Sequence, residues 1–235
     1  MHILVTGASR GIGAAALEAL KADGHRVVGQ STAGGNGMIA ADFTDPQAPR
    51  RLWEQAFDAL DGTIDVLVNN AGIFEPVADN AGDEEWHAAW GRTMQVNLQA
   101  SADLCRHAIS HFRSREAPGG RIVNVASRAA YRGDSPQHWH YAASKGGMVA
   151  MTKSIARGYA GENILAFAVC PGFTMTGMAE DYVESRGGAS LLADIPLGRV
   201  AQPEEVAETI RWLAIDAPPS ATGTILDVNG ASFVR

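Results

Sequence analysis

Thr6-Gly7-Ala8-Ser9-Arg10-Gly11-Ile12-Gly13 follows a short apolar segment at 2–6 and opens a helical pattern at 12–23. Glycines in such a turn let the backbone approach a pyrophosphate, and the helix N-terminus that follows favours negative charge. The spacing is GxxxGxG rather than the common GxGxxG. A turn that only tightens the packing of a strand on a helix is the alternative. The stretch predicts the first strand, turn and helix of an α/β fold, with a dinucleotide site as its function.

Strand-like and helical segments alternate along the rest of the chain, which predicts a single α/β domain over 1–235 with a parallel sheet. Strands are expected at 2–6, 26–30, 38–41, 64–69, 121–126, 164–170 and 224–228. Helices are expected at 12–23, from Thr44 or Asp45 to 60, at 83–115, through the Tyr141 segment to 159, and from Pro203. The segment 173–197 has weak periodicity and is expected to form a substrate lid.

The connection between the second and third predicted strands departs from this pattern. It contains only the seven residues 31–37, Ser-Thr-Ala-Gly-Gly-Asn-Gly. Parallel neighbours usually need about a dozen connecting residues. Either a compact glycine loop makes this crossing, or one of the two strands is displaced by a few residues.

Composition excludes several classes of function. The 235 residues are 46% hydrophobic, carry a net charge of −7 and contain no apolar run of membrane-spanning length. The acidic balance argues against nucleic acid or an anionic membrane as the main partner. Two cysteines, Cys105 and Cys170, are too few for a disulfide framework. Because the first strand starts at the second residue, no targeting peptide is expected, and the cytosol is the expected location.

Tyr141-Ala-Ala-Ser-Lys145 carries the first sign of chemistry. Residues four apart lie one helical turn from each other on the same face. A phenol has a reference pKa of about 10, and a neighbouring ammonium is expected to lower it toward the range useful for proton transfer. A tyrosine and a lysine also share a helix face by chance, so this pair needs support from other positions.

That support comes from five motifs in order: the glycine turn, Asn69-Asn70-Ala71-Gly72, Ser127, the Tyr141 to Lys145 motif, and Pro171-Gly172. With these motifs at predicted strand ends, the chain resembles the short-chain dehydrogenase/reductase family over its whole length. The resemblance implies a Rossmann-type, doubly wound, mostly parallel seven-stranded sheet with helices on both faces. It further implies a nicotinamide dinucleotide cofactor, hydride transfer between an alcohol and a carbonyl, and a homotetramer or homodimer.

The resemblance assigns four catalytic residues. Tyr141 would be the acid in reduction and the base in oxidation, and Lys145 would lower the pKa of Tyr141 and bind the nicotinamide ribose. Ser127 would donate to the substrate oxygen, and Asn97 would hold a water that connects Lys145 to solvent. Each residue has a plainer interpretation: Ser127 as a strand-end cap, Asn97 in a helix kink, and Lys145 on a solvated helix face.

The segment from Ser127 to Tyr141 is one residue longer than the common family spacing. A loop absorbs one residue at little entropic cost. The insertion is expected near 135–139, which would bring His138, Trp139 and His140 to the mouth of the pocket. They would either influence substrate choice or be ordinary loop residues. No third ligand accompanies the histidines, so no metal site is expected.

The cofactor is expected to be NADP(H), with NAD(H) as the alternative. An acidic residue at the end of the second strand would bind the ribose hydroxyls and repel a 2′-phosphate. The resemblance places this family position at Ser31, and it places Arg10 where NADP-preferring relatives often carry a basic residue, which can bind a phosphate. The basic residue that NADP-preferring relatives often place after this strand is missing.

The resemblance also gives a full set of cofactor contacts. Asp42, backed by Phe43, would contact the adenine, although Asp42 is also a candidate helix N-cap. Met175, Met178 and Tyr182 in the lid would line an apolar substrate pocket. The expected cofactor-binding residues are Gly7, Ser9, Arg10, Gly11, Ile12, Gly13, Ser31, Asp42, Phe43, Asn69, Ala71, Gly72, Tyr141, Lys145, Pro171, Gly172, Thr174 and Thr176.

The leading functional hypothesis is an NADP(H)-dependent oxidoreductase that acts on a small ketone or secondary alcohol. A 3-oxoacyl-(acyl-carrier-protein) reductase is the alternative within enzymes, and it would need a basic patch for an acidic carrier. Arg128 and Arg132 are candidates for that patch, diluted by Asp134, Glu180, Asp181 and Glu184. A cofactor-binding protein without turnover is the third hypothesis, against which the complete catalytic set argues.

Overall fold

The fold is given by a computed structural model that describes residues 1–176 and 192–235. Among these residues, seven strands form one parallel sheet in the order β3-β2-β1-β4-β5-β6-β7. The strands are β1 His2–Val5, β2 Arg26–Ser31, β3 Ile39–Ala40, β4 Val66–Asn69, β5 Gly120–Val125, β6 Ile164–Pro171 and β7 Ile225–Val228. The strand order reverses direction at β1, where β1 pairs with both β2 and β4. This doubly wound sheet confirms the predicted fold class.

Helices connect the strands on both faces of the sheet. They are α1 Gly11–Ala22, α2 Ala48–Ala59, α3 Asp83–Met94, α4 Ala100–Ser114, α5 Ala129–Arg132, α6 Trp139–Tyr159 and α7 Pro203–Ile215. The long helical region predicted at 83–115 is interrupted at Gln95–Gln99 by a π-helical segment that joins α3 to α4. Short 3₁₀ turns at Ala160–Glu162 and Pro219–Ala221 precede β6 and β7.

The compact glycine loop makes the crossing from β2 to β3. Gln30 and Ser31 pair in parallel with Ile39 and Ala40, and the seven residues 32–38 reverse the chain twice. Gly34, Gly35, Asn36 and Gly37 all have φ between 52° and 88°, a region that glycine and asparagine enter at little cost. Consecutive left-handed residues turn the chain tightly enough to replace a crossover helix.

The start of α2 differs from the prediction. The sequence placed it at Thr44 or Asp45, whereas the helix begins at Ala48 after Gln47. Asp42 accepts a 2.9 Å hydrogen bond from the Thr44 N–H, and Asp45 accepts a 2.8 Å bond from the Gln47 N–H. Both carboxylates therefore close local turns of the Asx type, and neither caps the helix.

Two apolar layers cover the faces of the sheet. One joins α2 and α4 to the sheet through side chains such as Leu52, Leu104 and Phe112. The other joins α1 and α7 through side chains such as Leu20 and Ile210. Burial on both faces explains the near-continuous apolar composition of β4 and β6. No helix among the described residues is long and apolar enough to cross a membrane.

Candidate active site

A cleft of about 480 Å³ runs along the carboxyl ends of the parallel strands, on both sides of the point where the strand order reverses. Ligands bind at this position in open α/β sheets, and the volume lies in the range of small-molecule sites. Most of the predicted site residues line it: Gly7, Ser9, Arg10, Gly11, Ile12, Gly13, Ser31, Asp42, Phe43, Ala71, Gly72, Ser127, Tyr141, Lys145, Pro171, Gly172, Thr174 and Thr176.

The glycine turn between β1 and α1 forms one end of the cleft. Gly7 has φ +64°, and a Cβ there would lie 2.8 Å from the Ala71 Cα. A Cβ on Gly13 would lie only 2.1 Å from the Gly7 carbonyl oxygen, so both positions require glycine. No side chain caps the first turn of α1, and this turn contains no acidic residue. The turn therefore presents uncapped N–H groups and the positive end of the helix dipole.

Thr6 and Asn70 hold this turn against the end of β4. The Thr6 hydroxyl oxygen accepts hydrogen bonds from the N–H groups of Asn70 and Ala71, both at 3.0 Å. The Asn70 side-chain amide donates to the carbonyl oxygens of Thr6 and Gly7 at 3.0 Å. Asn69, which the resemblance implies as a cofactor contact, does not line the cleft. Asn69 is 1% exposed and donates to Asn124 in the interior, whereas Asn70 lines the cleft.

Gln30 is a structural residue of the cleft that the sequence analysis passed over. Its side-chain oxygen accepts the Gly7 N–H at 2.9 Å, and its amide nitrogen donates to the Ala41 carbonyl at 2.7 Å. Ser31 and Thr32 follow it on the cleft wall. Among the described residues of the cleft lining, those at the end of β2 carry no acidic side chain, so this part of the wall is neutral.

Tyr141, on the first turn of α6, and Ser127, just after β5, meet across the cleft in a hydrogen bond. Burial raises the pKa of Tyr141 to about 12, although the hydrogen bond from Ser127 acts in the opposite direction. The expected lowering of this pKa by Lys145 is therefore absent from this arrangement. The Ser127 hydroxyl oxygen also accepts the Ala129 N–H at 3.1 Å, which fixes its orientation.

Lys145 lies one turn further along α6 and is only 4% exposed, so it is not a solvated surface residue. Its Nζ donates a 2.8 Å hydrogen bond to the Val125 carbonyl oxygen and lies 5.8 Å from the centre of the Tyr141 ring. Burial lowers the pKa of Lys145 to about 8. A Cβ on Gly72 would lie 3.5 Å from Nζ, an ordinary contact distance, and 3.3 Å from the Asn97 Oδ1, which is tight, so Gly72 packs closely against both side chains.

Asn97 lies in the π-helical segment and is fully buried behind the cleft. Its Oδ1 accepts the Ile73 N–H at 2.8 Å, and its Nδ2 donates to the Ile73 carbonyl at 3.0 Å and to the Ser144 hydroxyl at 3.2 Å. One extra residue in a helical turn shifts the following side chains, and such π segments occur frequently at functional sites. The segment directs Asn97 at the loop after β4, which carries Ala71 and Gly72.

An aromatic wall that includes His138 lies beside Tyr141. The His138 ring stacks on Phe74 with centroids 3.8 Å apart, and Phe74 meets Tyr141 edge to face at 4.8 Å. His138 and His140 are buried, whereas Trp139 is 51% exposed. The histidines thus support the wall from behind, and Phe74 lines the cleft. Among the described residues, no cluster of side chains is arranged to hold a metal ion.

Arg128 and Arg132 do not form the basic surface patch that the sequence suggested. Arg128 is 8% exposed and lines the cleft. Arg132 donates a 2.6 Å hydrogen bond to the Asp194 carboxylate, which neutralises it. The remainder of the expected lid, with Met178, Glu180, Asp181, Tyr182 and Glu184, lies outside the described residues. Thr174 and Thr176 close the far side of the cleft, and the Thr176 methyl group lies over Gly11.

Known proteins resemble this chain over nearly its whole length. The family model described as enoyl-(acyl carrier protein) reductase matches residues 7–231. A 3-oxoacyl-(acyl-carrier-protein) reductase of Vibrio cholerae is 34% identical over 98% of this chain and 96% of its own. A cis-4-hydroxycyclohexanecarboxylate dehydrogenase of Sinomonas cyclohexanicum is 37% identical, with coverages of 97% and 94%.

A solved structure gives the same result for the fold. The ligand-free aldohexose dehydrogenase of Thermoplasma acidophilum superposes with a TM-score of 0.86 at 30% identity, covering 99% of this chain and 94% of its own. The relatives are named as reductases and dehydrogenases. With the cleft described above, these matches show that the chain is an oxidoreductase of the short-chain dehydrogenase/reductase family.

Proposed function

We propose that this protein transfers a hydride between NADP(H) and a small ketone or secondary alcohol, with Tyr141 as the proton donor and acceptor. The observation that carries the proposal is the presence of Ser127, Tyr141 and Lys145 in the same cleft as the glycine turn. A proton-transfer group and a phosphate-binding turn at opposite ends of one cleft suit a reaction between an extended cofactor and a small substrate.

The residues present fit a nicotinamide dinucleotide. The uncapped first turn of α1 supplies backbone N–H donors, and the glycines at 7 and 13 leave no side chain between the backbone and a pyrophosphate. Asp42 and Phe43 border the adenine end, while Gly72 and Lys145 border the nicotinamide ribose end. The bound cofactor supplies or accepts the hydride, and the protein supplies position and electrostatics.

Proton transfer to the substrate falls to Tyr141. With a pKa near 12 the phenol stays protonated at neutral pH, and it is still far more acidic than an alcohol, so it can donate to the alkoxide formed in reduction. The Ser127 hydroxyl hydrogen-bonds the same oxygen and stabilises the developing charge, as donors in an oxyanion site do. Lys145, whose Nζ lies 5.8 Å from the centre of the Tyr141 ring, is assigned to the nicotinamide ribose.

The preference for NADP(H) rests on two features of the cleft. Arg10 lies in its lining with an exposed side chain, and Ser31 and Thr32 replace the acid that would repel a 2′-phosphate. A guanidinium binds a phosphate through two parallel hydrogen bonds. We therefore assign Arg10 to the 2′-phosphate.

Reduction of a 3-oxoacyl group on a carrier protein is the second candidate. The names of several relatives favour it, since reductases of this kind from Vibrio cholerae and Escherichia coli are 34% and 33% identical to the chain. The burial of Arg128 and the pairing of Arg132 with Asp194 argue against a basic docking patch at these residues.

We also propose a homo-oligomer that pairs through α4 and α6. A groove between these helices is lined by Cys105, Ile109, Met151, Ile155 and Tyr159 together with Arg106 and Arg113. The apolar side chains of this groove, which lies between two long helices, are suited to a second copy of the same face. Light scattering should give a dimer or tetramer mass, and a monomer at micromolar concentration would contradict this proposal.

The experiment for the main proposal is an initial-rate panel of ketones, secondary alcohols and acyl thioesters with both cofactors, followed by nicotinamide absorbance. Turnover of ketones with NADPH supports the proposal. Turnover confined to acyl thioesters supports the second candidate, and absence of cofactor-dependent turnover with every substrate contradicts both.

A further inference from the structure

Arg128 is a buried cation in the substrate half of the cleft. It follows Ser127 directly, and its backbone N–H donates to the Pro171 carbonyl at 2.9 Å, which fixes it between the ends of β5 and β6. Its residue exposure is 8%, and it lines the cleft beside Ser127 and Tyr141. Arginine is rarely buried to this degree without a compensating partner.

Within the described ranges 1–176 and 192–235, this guanidinium is incompletely paired. Among the described residues, Arg128 Nη1 has no hydrogen-bond partner. The nearest carboxylate is Asp194 at 3.6 Å from Nη1, and that carboxylate is already engaged by Arg132 at 2.6 Å. The guanidinium carbon lies 4.5 Å from the centre of the Phe173 ring, which orients the plane but supplies no hydrogen-bond acceptor. Burial, and then the charge of Arg132, lower the pKa of Arg128, as expected for a cation that lacks compensation.

Three other charged residues that line the cleft near the substrate end are better satisfied. Arg92 has a side chain that is 55% exposed and pairs with Glu75 at 3.3 Å. Lys145 donates to the Val125 carbonyl. Asp134 accepts the Ser135 N–H at 2.7 Å. Arg128 is therefore the charged group of the substrate half that most needs a partner.

We propose that Arg128 anchors a carboxylate of the substrate, so that the site acts on an oxo acid or the corresponding hydroxy acid. This inference rests on the proposed hydride transfer and names its substrate class. A guanidinium matches a carboxylate in plane and charge, and the bond is charge-assisted. Asp134 and Asp194 disfavour a second negative charge nearby, so a monoanion is preferred over a phosphate ester. The carbonyl carbon would bind at Ser127 and Tyr141, several atoms from the carboxylate.

The test compares oxo acids with their methyl esters in initial rates with NADPH. The series is 4-oxopentanoate, 6-oxoheptanoate and 8-oxononanoate, which differ in the distance between ketone and carboxylate. The distance from Tyr141 to Arg128 should favour one of these lengths. Wild-type protein should reduce at least one acid with a kcat/KM at least about 10-fold above that of its ester. Arg128→Gln should lower kcat/KM for that acid by about 10- to 100-fold, mainly through KM, and change the ester by less than about threefold. For the same acid, the kcat/KM of Arg128→Lys should lie between those of wild-type protein and Arg128→Gln.

The matched control is Arg157→Gln, which removes an exposed arginine of α6 that neither lines the cleft nor contacts Asp194 in the described structure. It should keep the preference for the acid. Equal efficiency of wild-type protein on acids and esters would overturn the proposal, as would an equal loss of both in Arg128→Gln with normal thermal unfolding.

Calorimetry of the same acids and esters with wild-type protein separates this inference from the hydride transfer on which it rests. Tighter binding of an acid than of its ester supports the anchor even where no turnover follows. Equal binding of both contradicts the anchor even where ketones are reduced.

Discussion

The ammonium of Lys145 donates a 2.8 Å hydrogen bond to the carbonyl oxygen of Val125, the last residue of β5. This contact ties α6 to the strand end that carries Ser127, so the two halves of the catalytic group are held together by the lysine. It also buries a positive charge with one neutral acceptor as its hydrogen-bond partner.

Replacement of this lysine should stabilise the protein while it abolishes activity. A pKa lowered from 10.5 to about 8 corresponds to about 3 kcal/mol of unfavourable burial. Lys145→Met keeps the length of the side chain but leaves the Val125 carbonyl without its partner. We therefore expect the free energy of unfolding at pH 7 to rise by about 1 to 2 kcal/mol.

The stability that Lys145→Met gains over wild-type protein should decrease as the pH rises. Below pH 8 the lysine is charged in both states, and the full penalty applies. Between pH 8 and 10.5 the unfolded chain binds the proton and the folded chain does not, so wild-type stability rises with pH relative to Lys145→Met. Denaturant unfolding at pH 7, 9 and 10.5 measures this, and a difference that does not shrink with pH would contradict the burial argument.

Arg10→Ala should weaken NADP(H) selectively, because Arg10 is assigned to the 2′-phosphate. We expect the Kd for NADPH to rise by about 10- to 100-fold and that for NADH to change by less than about threefold. Lys21→Ala is the matched control, since it removes a basic residue of α1 outside the cleft. An equal loss of affinity for the two cofactors would show that Arg10 does not discriminate between them.

Ser31→Asp also tests the preference for NADP(H). It places an acid at the end of β2, where the wall is neutral, and this acid should repel a 2′-phosphate and bind the free ribose hydroxyls of NAD(H). The ratio of kcat/KM for NADPH to that for NADH should fall by at least about 10-fold. An unchanged ratio would mean that the glycine loop after β2 moves this position away from the ribose.

Asn97→Ala should destabilise the loop after β4. The substitution removes the partners of both main-chain groups of Ile73, and an unsatisfied buried group costs about 1 to 3 kcal/mol. Because Ile73 is only partly buried, we expect a loss of about 1 to 3 kcal/mol in the free energy of unfolding. Gln99→Ala, an exposed amide of the same π segment, should cost less than about 0.5 kcal/mol. Similar losses in both variants would indicate that the segment, rather than the Asn97 side chain, holds the loop.

The sequence predicted the strands to within two residues because buried parallel strands are continuous apolar runs between glycine-rich turns. The cleft residues followed from the resemblance of the motifs to the family, and those motifs meet in space because the carboxyl ends of parallel strands share one edge. The choice between Asn69 and Asn70 could not be made in this way. Successive side chains at the end of a strand point to opposite faces. Which of the two asparagines faces the cleft therefore depends on the exact register of β4.

Two further features depend on tertiary contacts that the sequence does not display. The π segment at Gln95–Gln99 has no compositional signature, and its position is fixed by the bonds of Asn97 to Ile73. Arginine is usually exposed, so the sequence does not indicate that Arg128 is buried. Its burial follows from the approach of Phe173 and Asp194. Its proximity to Ser127 in the chain was the one available signal.

The most direct test of the account is the turnover number of Tyr141→Phe with NADPH and the best ketone of the panel. The variant keeps the ring that packs against Phe74 and removes only the hydroxyl. We predict that kcat falls by about 10²- to 10⁴-fold while the Kd for NADPH stays within about threefold of wild type. Undiminished turnover in this variant would contradict the assignment of Tyr141 as the proton donor.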